Sequence, residues 1–211
     1  MKEKYHMSNN RSYHQIDDIF GIEDVGSTLL DQIAKGLYHP EEALREYIQN
    51  AIDAHRIWNS ETLTTPEGPI QIEIRGDRIS ILDYGIGMSE SEARRVKAIA
   101  VTTKVNPSVV LTGHKGVGIW AGLAYFDKLI LETTRRGISE GYRLTIHFKQ
   151  ILDRIDYFTD IGQVMRGNYV IEAYEEDSDA HFTNVSLVHS RDSIDFFTSI
   201  EKIKESIRNN C

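Results

Sequence analysis

Cysteine is nearly absent: the single one, Cys211, is the last residue. An intrachain disulfide is therefore excluded, which fits a reducing compartment. Basic residues are in deficit, 24 Lys and Arg against 32 Asp and Glu, for a formal charge of -8. Neutralising phosphates takes clustered cations, so direct nucleic-acid binding by this chain is not expected, although a DNA-binding partner domain would be compatible. The longest weakly polar run, "GVGIWAGLAYF", is far too short to cross a bilayer as a helix. The N-terminus, "MKEKYHMSNNRSYH", lacks the apolar core of a signal peptide. A cytoplasmic protein with no membrane partner is expected. The eight histidines are scattered, none at metal-ligand spacing with cysteine or a carboxylate pair. No G-x-x-x-x-G-K-[ST] occurs, which excludes a P-loop.

What is present suits a globular domain: 211 residues, 40% apolar and 27% charged. Residues 1–15 read as a flexible lead-in, 16–190 as one domain, and 191–211 as a C-terminal helix serving as linker or dimer contact. Helical patterns come early. "STLLDQIAKGLY" repeats apolar residues at three and four, and "PEEALREYIQNAIDAHRIW" opens with Pro40 and two glutamates, a favourable helix start. Residues 59–69 read as a loop. Then "IQIEIRGDRISILDYG" alternates apolar and polar residues around Gly76-Asp77, the pattern of a hairpin. "SESEARRVKAIA" reads as a short helix capped by Ser89 with Glu92 three residues on. "IWAGLAYF" reads as a helix before the strand "KLILET", followed by strands at "YRLTIHFKQI", "YVIEAYE" and "TNVSLVHS". Helices early and strands late make an α+β order rather than a repeating βαβ order.

Three short patterns carry chemistry. In "LREYIQNAIDAHRIW", Glu46, Asn50 and Asp53 share one helical face, because residues four and seven apart differ by only about 40° and 20° at about 100° per residue. A solvated stripe is one reading. Set among Ala43, Leu44, Ile48, Ala51 and Ile52, however, a buried stripe needs a polar partner. Magnesium with a polyphosphate would serve, since an amide oxygen is a hard ligand and a carboxylate can polarise water. Next, in "ILDYGIGM", Asp83 ends a strand and Gly85 and Gly87 follow. Glycines let the backbone approach a ligand, and the aspartate can accept a hydrogen bond from an exocyclic amine such as that of adenine. A simple strand-ending turn is the alternative there. Third, in "TGHKGVGIWAG", Gly113, Gly116 and Gly118 precede a helix-like segment. Unhindered amides there bind phosphate, and His114 and Lys115 add donors.

The third pattern, with Glu132 nineteen residues after Gly113, loosely imitates a dinucleotide-binding unit. Its glycines run G-x-x-G-x-G, not G-x-G-x-x-G, and that reading leaves the other two patterns unexplained.

The ordered set E-x-x-x-N-A-x-D-A, D-x-G-x-G and G-x-x-G-x-G resembles the GHKL ATPase superfamily, which includes gyrase B subunits, the ninety-kilodalton heat-shock chaperones, MutL, MORC proteins and sensor histidine kinases. The resemblance covers roughly residues 20–190 and implies a Bergerat fold: a mixed, mostly antiparallel sheet with helices on one face. It implies ATP and Mg2+ as cofactors. Glu46 would be the general base, Asn50 the magnesium ligand, and Asp53 a second polar position near the nucleotide. Asp83 would read adenine, with Gly85, Gly87 and Met88 as the turn under the base. Gly113, His114, Lys115, Gly116, Val117 and Gly118 would form the phosphate-binding end of a lid spanning about 99–115. The lid's "TTK" resembles MORC-like and topoisomerase-like members, which makes Lys104 a further phosphate contact. Thr183 in "HFTNVSL" stands where the superfamily has the threonine of a Gly-Thr pair, but Phe182 replaces the glycine.

A glutamate at 46 fits members that hydrolyse ATP, whereas sensor histidine kinases usually carry asparagine there. The chain is closest in character to the chaperone, MORC and topoisomerase-like branches. The expected function is Mg-dependent ATP binding and hydrolysis, with lid closure gating dimerisation or a partner domain of a larger machine. The partner would be a second copy, or a following domain that supplies a catalytic lysine or arginine. The alternatives are a serine protein kinase of the anti-sigma type and a nucleotide-sensing module without significant turnover.

Overall fold

The computed structural model describes residues 11–16, 33–35, 37–96, 118–155 and 161–189, with 201, 204, 205 and 208 near the C-terminus. The expected lid at 99–115, most of "STLLDQIAKGLY" and nearly all of 191–211 lie outside the described residues.

The long helix α1, Pro40–Thr62, starts as its sequence dictates. Pro40 has no N–H to leave unpaired, Glu41 and Glu42 face the positive end of the helix dipole, and the Glu42 carboxylate accepts the His39 N–H at 2.9 Å. It buries Ala43, Leu44, Tyr47, Ile48, Ala51 and Trp58. The helix runs on through Thr62, into the first residues of the loop expected at 59–69, because no breaker intervenes. Thr62 Oγ1 donates to the Trp58 carbonyl at 2.8 Å, and Leu63, in the left-handed region at φ 56°, ends it.

Strands β1 (Tyr13–Ile16), β2 (Gln71–Arg75), β3 (Arg78–Asp83), β4 (Lys128–Thr134), β5 (Glu140–Ile146), β6 (Tyr169–Glu175) and β7 (Phe182–Val188) form a seven-stranded sheet in the order β1-β6-β5-β4-β7-β3-β2. Every pairing between them is antiparallel. β1 draws most of its residues from the expected lead-in. The β2–β3 hairpin turns through Gly76 and Asp77, with Gly76 at φ +57°, as two-residue hairpin loops with glycine first require. The short helix α2, Glu90–Arg95, carries the expected capping box: Glu92 accepts the Ser89 N–H at 2.8 Å.

Two further expected elements differ. "IWAGLAYF" is not a helix but a 3-10 turn, Gly118–Trp120, continued by further turns. The Tyr47 hydroxyl engages the Ile119 carbonyl and the Gly122 N–H, two groups a regular helix would use for its own bonds. "YRLTIHFKQI" is not one strand. β5 ends at Ile146, and Phe148–Ile155 forms helix α3, because Phe148, Ile151, Leu152 and Ile155 repeat at helical spacing and Phe148 and Ile151 are buried. Helix α4, Ile161–Met165, follows.

The architecture is the expected α+β Bergerat fold. One sheet face presents Ile79, Leu187, Leu129 and Ile146 as register neighbours, and these join Leu44, Tyr47, Ile48 and Trp120 in a single core. Burying such side chains is worth about 1.5–3 kcal/mol each. The other face holds a charged cluster: Arg11 pairs with Glu176 and reaches Glu132 at 3.8 Å, and Tyr13 donates to Glu132 at 3.0 Å.

Candidate functional site

The stripe on α1 is not a solvated face. Asp53 is fully buried, with Arg56 Nη1 at 3.4 Å from its carboxylate, and Glu46 and Asn50 are partly buried. Gly118, the last glycine of G-x-x-G-x-G, closes on the same stripe. A Cβ built there would stand 3.1 Å from Glu46 Oε2 and 3.2 Å from Asn50 Nδ2. Glycine is the residue that lets this backbone lie against both side chains.

The second pattern is docked on the same helix, farther along. Asp83 is buried at the end of β3 and accepts the Gly85 N–H at 2.9 Å. The Ile86 N–H donates to the Ala54 carbonyl at 3.2 Å, and a Cβ on Gly85 would fall 2.5 Å from the Ala54 carbonyl carbon. Gly87 lies at φ +66°, where a Cβ would meet the Thr134 carbonyl oxygen at 1.8 Å. Only glycine fits either position without moving backbone.

Thr183 is the register partner of Asp83 across β3 and β7, and Thr133 is its partner across β4. Three bonds meet at Thr133 Oγ1: from the Met88 N–H at 3.0 Å, with Thr183 Oγ1 at 3.0 Å, and to the Phe182 carbonyl at 3.0 Å. A hydroxyl has one proton. If Thr133 donates it to Phe182, it accepts from Met88 and from Thr183. Phe182 itself points to the other side of the sheet, where Arg11 stands 5.7 Å from its ring, so its bulk stays clear of the aspartate.

Behind this turn sit three residues the motif reading did not single out. His181 Nδ1 is 3.0 Å from the Gly85 carbonyl, and its ring stacks on Trp58 with centroids 3.8 Å apart. His55 Nε2 accepts the Tyr84 N–H at 3.3 Å. Burial, and then the nearby His181, push the His55 imidazole below its ordinary value. The folded state therefore prefers neutral His55, and its contribution is complete above the unfolded value near 6.5. It is lost as pH falls below that value through the lower folded one. Denaturant titrations at pH 7.5 and pH 5.5 are expected to show wild type losing more stability at the lower pH than His55→Gln. Equal losses would refute the assignment.

Thr133 was legible in principle. It follows Leu129 and Leu131 at alternate positions of a strand, so it is a polar residue on a core-facing row. The histidine cluster had no comparable signal, because its members are far apart in the chain.

Lys104, Gly113, His114, Lys115, Gly116 and Val117 lie outside the described residues. The dinucleotide-binding reading fails on topology: β4 has antiparallel neighbours on both sides, so the parallel pair it requires is missing. Among the described residues no group of three or more His, Cys, Asp or Glu could hold a metal ion. Magnesium carried by a polyphosphate needs only one or two protein ligands, which the Asn50 amide beside Glu46 fits.

The sequence model of the family described as "Histidine kinase-, DNA gyrase B-, and HSP90-like ATPase" matches residues 38–160. Curated relatives include "Chaperone protein HtpG" of Rhodospirillum rubrum, 33% identical over 56% of this chain and 22% of the relative. The protein of the same name from Acinetobacter baylyi is 31% identical over 54% of this chain and 22% of its own length. That of Chromobacterium violaceum is 30% identical over 62% and 24%. The matched region thus spans under a quarter of these relatives.

Proposed function

Because the chain belongs to the family of histidine kinase-, DNA gyrase B- and HSP90-like ATPases, we propose that it binds and hydrolyses ATP between α1 and the Asp83 turn. The observation that carries this reading is the convergence of Glu46, Asn50 and Gly118, remote in sequence for the glycine and adjacent in space. Asp83 accepts a hydrogen bond from the adenine amine. The Thr183 and Thr133 hydroxyls beside it support the base and hold the Met88 amide in place. Asn50 would hold magnesium, which supplies charge neutralisation at the phosphates. Glu46 orients the attacking water and takes its proton as water adds to the γ-phosphorus and the bond to the ADP oxygen breaks. By the family resemblance, residues 113–118 would be the phosphate-binding end of a lid over the nucleotide.

The chaperone relatives favour a module of a larger machine in the cytoplasm, completed by a second copy or a following domain that lends a lysine or arginine. No described helix is long and apolar enough to cross a membrane.

The test is thermal unfolding of the chain with Mg-ADP, Mg-ATP or NAD, alongside Asp83→Asn. A ligand at 100 times its dissociation constant adds about 2.7 kcal/mol. The expected result is a rise with both adenine nucleotides that Asp83→Asn abolishes, because the amide presents a donor toward the adenine amine. No rise in wild type, or a rise with NAD alone, would overturn the proposal.

A further inference from the structure

Tyr47 follows Glu46 on α1 and occupies one of the unspecified positions of E-x-x-x-N-A-x-D-A. Its side chain is buried at 1% exposure, yet its hydroxyl is doubly engaged. It donates to the Ile119 carbonyl at 3.0 Å and accepts the Gly122 N–H at 3.0 Å. Both partners belong to the turn that begins at Gly118. A Cβ on Gly122 would fall 2.5 Å from the Tyr47 oxygen and 2.8 Å from Phe126 Cδ2, so a side chain there would displace the Tyr47 hydroxyl or the Phe126 ring. Burial above all, opposed by the Gly122 bond and reinforced by the Glu46 charge, holds the phenol far above its ordinary value. The hydroxyl therefore keeps its proton for Ile119. A second tie secures the far end of the segment, where the Tyr125 hydroxyl donates to the Tyr38 carbonyl.

We infer that the Tyr47 hydroxyl is a positioning group that sets how the Gly118 backbone lies against Glu46 and Asn50, and through it the site's relative affinity for a nucleoside triphosphate and a diphosphate. The inference deepens the proposed ATP site and rests on it. The geometry is direct. Tyr47 and Glu46 are consecutive residues of one rigid helix, and Tyr47 grips the turn one residue after Gly118 and again four after it. A terminal phosphate at the Glu46–Asn50–Gly118 corner would feel a displacement of that turn. The base, read by Asp83 farther along the helix, would not. Tyr47→Phe keeps the ring and removes the bridge, leaving a buried carbonyl and a buried N–H without this partner.

The experiment is titration calorimetry of the 211-residue chain with Mg-ADP and with a non-hydrolysable Mg-ATP analogue, comparing wild type, Tyr47→Phe and Gly122→Ala. In both variants the analogue is expected to bind about tenfold more weakly, the scale of one weakened hydrogen bond to a charged phosphate, while ADP affinity stays within about twofold. A purely structural role would not move the ratio of the two affinities. Parallel loss of both ligands together with a lowered melting temperature would overturn the inference in favour of plain packing, and so would an unchanged ratio in both variants. Wild type that binds neither ligand would instead remove the ATP site itself, and the inference with it. That outcome is read from wild type alone and is distinct from the others.

Discussion

Glu46→Gln is expected to reduce ATP hydrolysis by about 10²–10⁴-fold, the range contributed by a general base. Its affinity for Mg-ADP is expected to stay within about twofold of wild type, because a group that acts mainly in the transition state leaves ground-state binding alone. Glutamine has the same length and branching as glutamate, so the contact with Gly118, 3.1 Å from a Cβ built there to Oε2, can persist. Only the capacity to accept the water proton as a carboxylate disappears. The check is steady-state hydrolysis at a chain concentration where wild type turns over, with calorimetry on the same preparations. Hydrolysis at the wild-type rate with intact binding would transfer the role of base to another residue.

Gly87→Ala is expected to cost about 2–5 kcal/mol of folding stability and to weaken adenine-nucleotide binding with it. Two independent terms contribute. Gly87 sits at φ +66°, where a residue with a Cβ pays about 1–2 kcal/mol. The added methyl would also stand 1.8 Å from the Thr134 carbonyl oxygen, a backbone atom within β4 that cannot swing aside. Overpacking of this kind typically adds about 1–3 kcal/mol. The turn must move, and Met88, whose N–H is held by Thr133 Oγ1 at 3.0 Å, moves with it. Denaturant unfolding and ADP calorimetry on the variant test this. Wild-type values in both would mean that the turn between Asp83 and Met88 tolerates a side chain and contributes little to the site.

Much of the fold was legible because local patterns agree with the final structure. Pro40 followed by two glutamates opens a helix, Gly76-Asp77 between alternating runs makes a hairpin, and Ser89 with Glu92 caps a short helix. In each, the signal and its consequence lie within a few residues of one another. The misreadings share the opposite cause. "IWAGLAYF" has a helix-compatible composition, but the Tyr47 hydroxyl, about seventy residues earlier, takes two of its backbone groups. "YRLTIHFKQI" joined a strand to the helix that follows it, because the apolar residues on both sides of His147 run on without a Gly or Pro to separate them.

The sequence alone determined the residue types and their order along the chain: a carboxylate, an amide and a second carboxylate on one helical face, an aspartate before two spaced glycines, and a later glycine cluster. Helical periodicity is a local property, so the shared face of Glu46, Asn50 and Asp53 needed no tertiary information. Tertiary structure decided which of these groups meet. It buried Asp53, set Gly118 against Glu46 and Asn50, turned Phe182 away from the aspartate, and brought Thr133, His181 and Trp58 around the Asp83 turn. Those contacts join residues dozens of positions apart, and they form only when the antiparallel register and the packing of α1 on the sheet are established together. No short-range pattern encodes such a distance, because it is set by closure of the whole core rather than by any one segment.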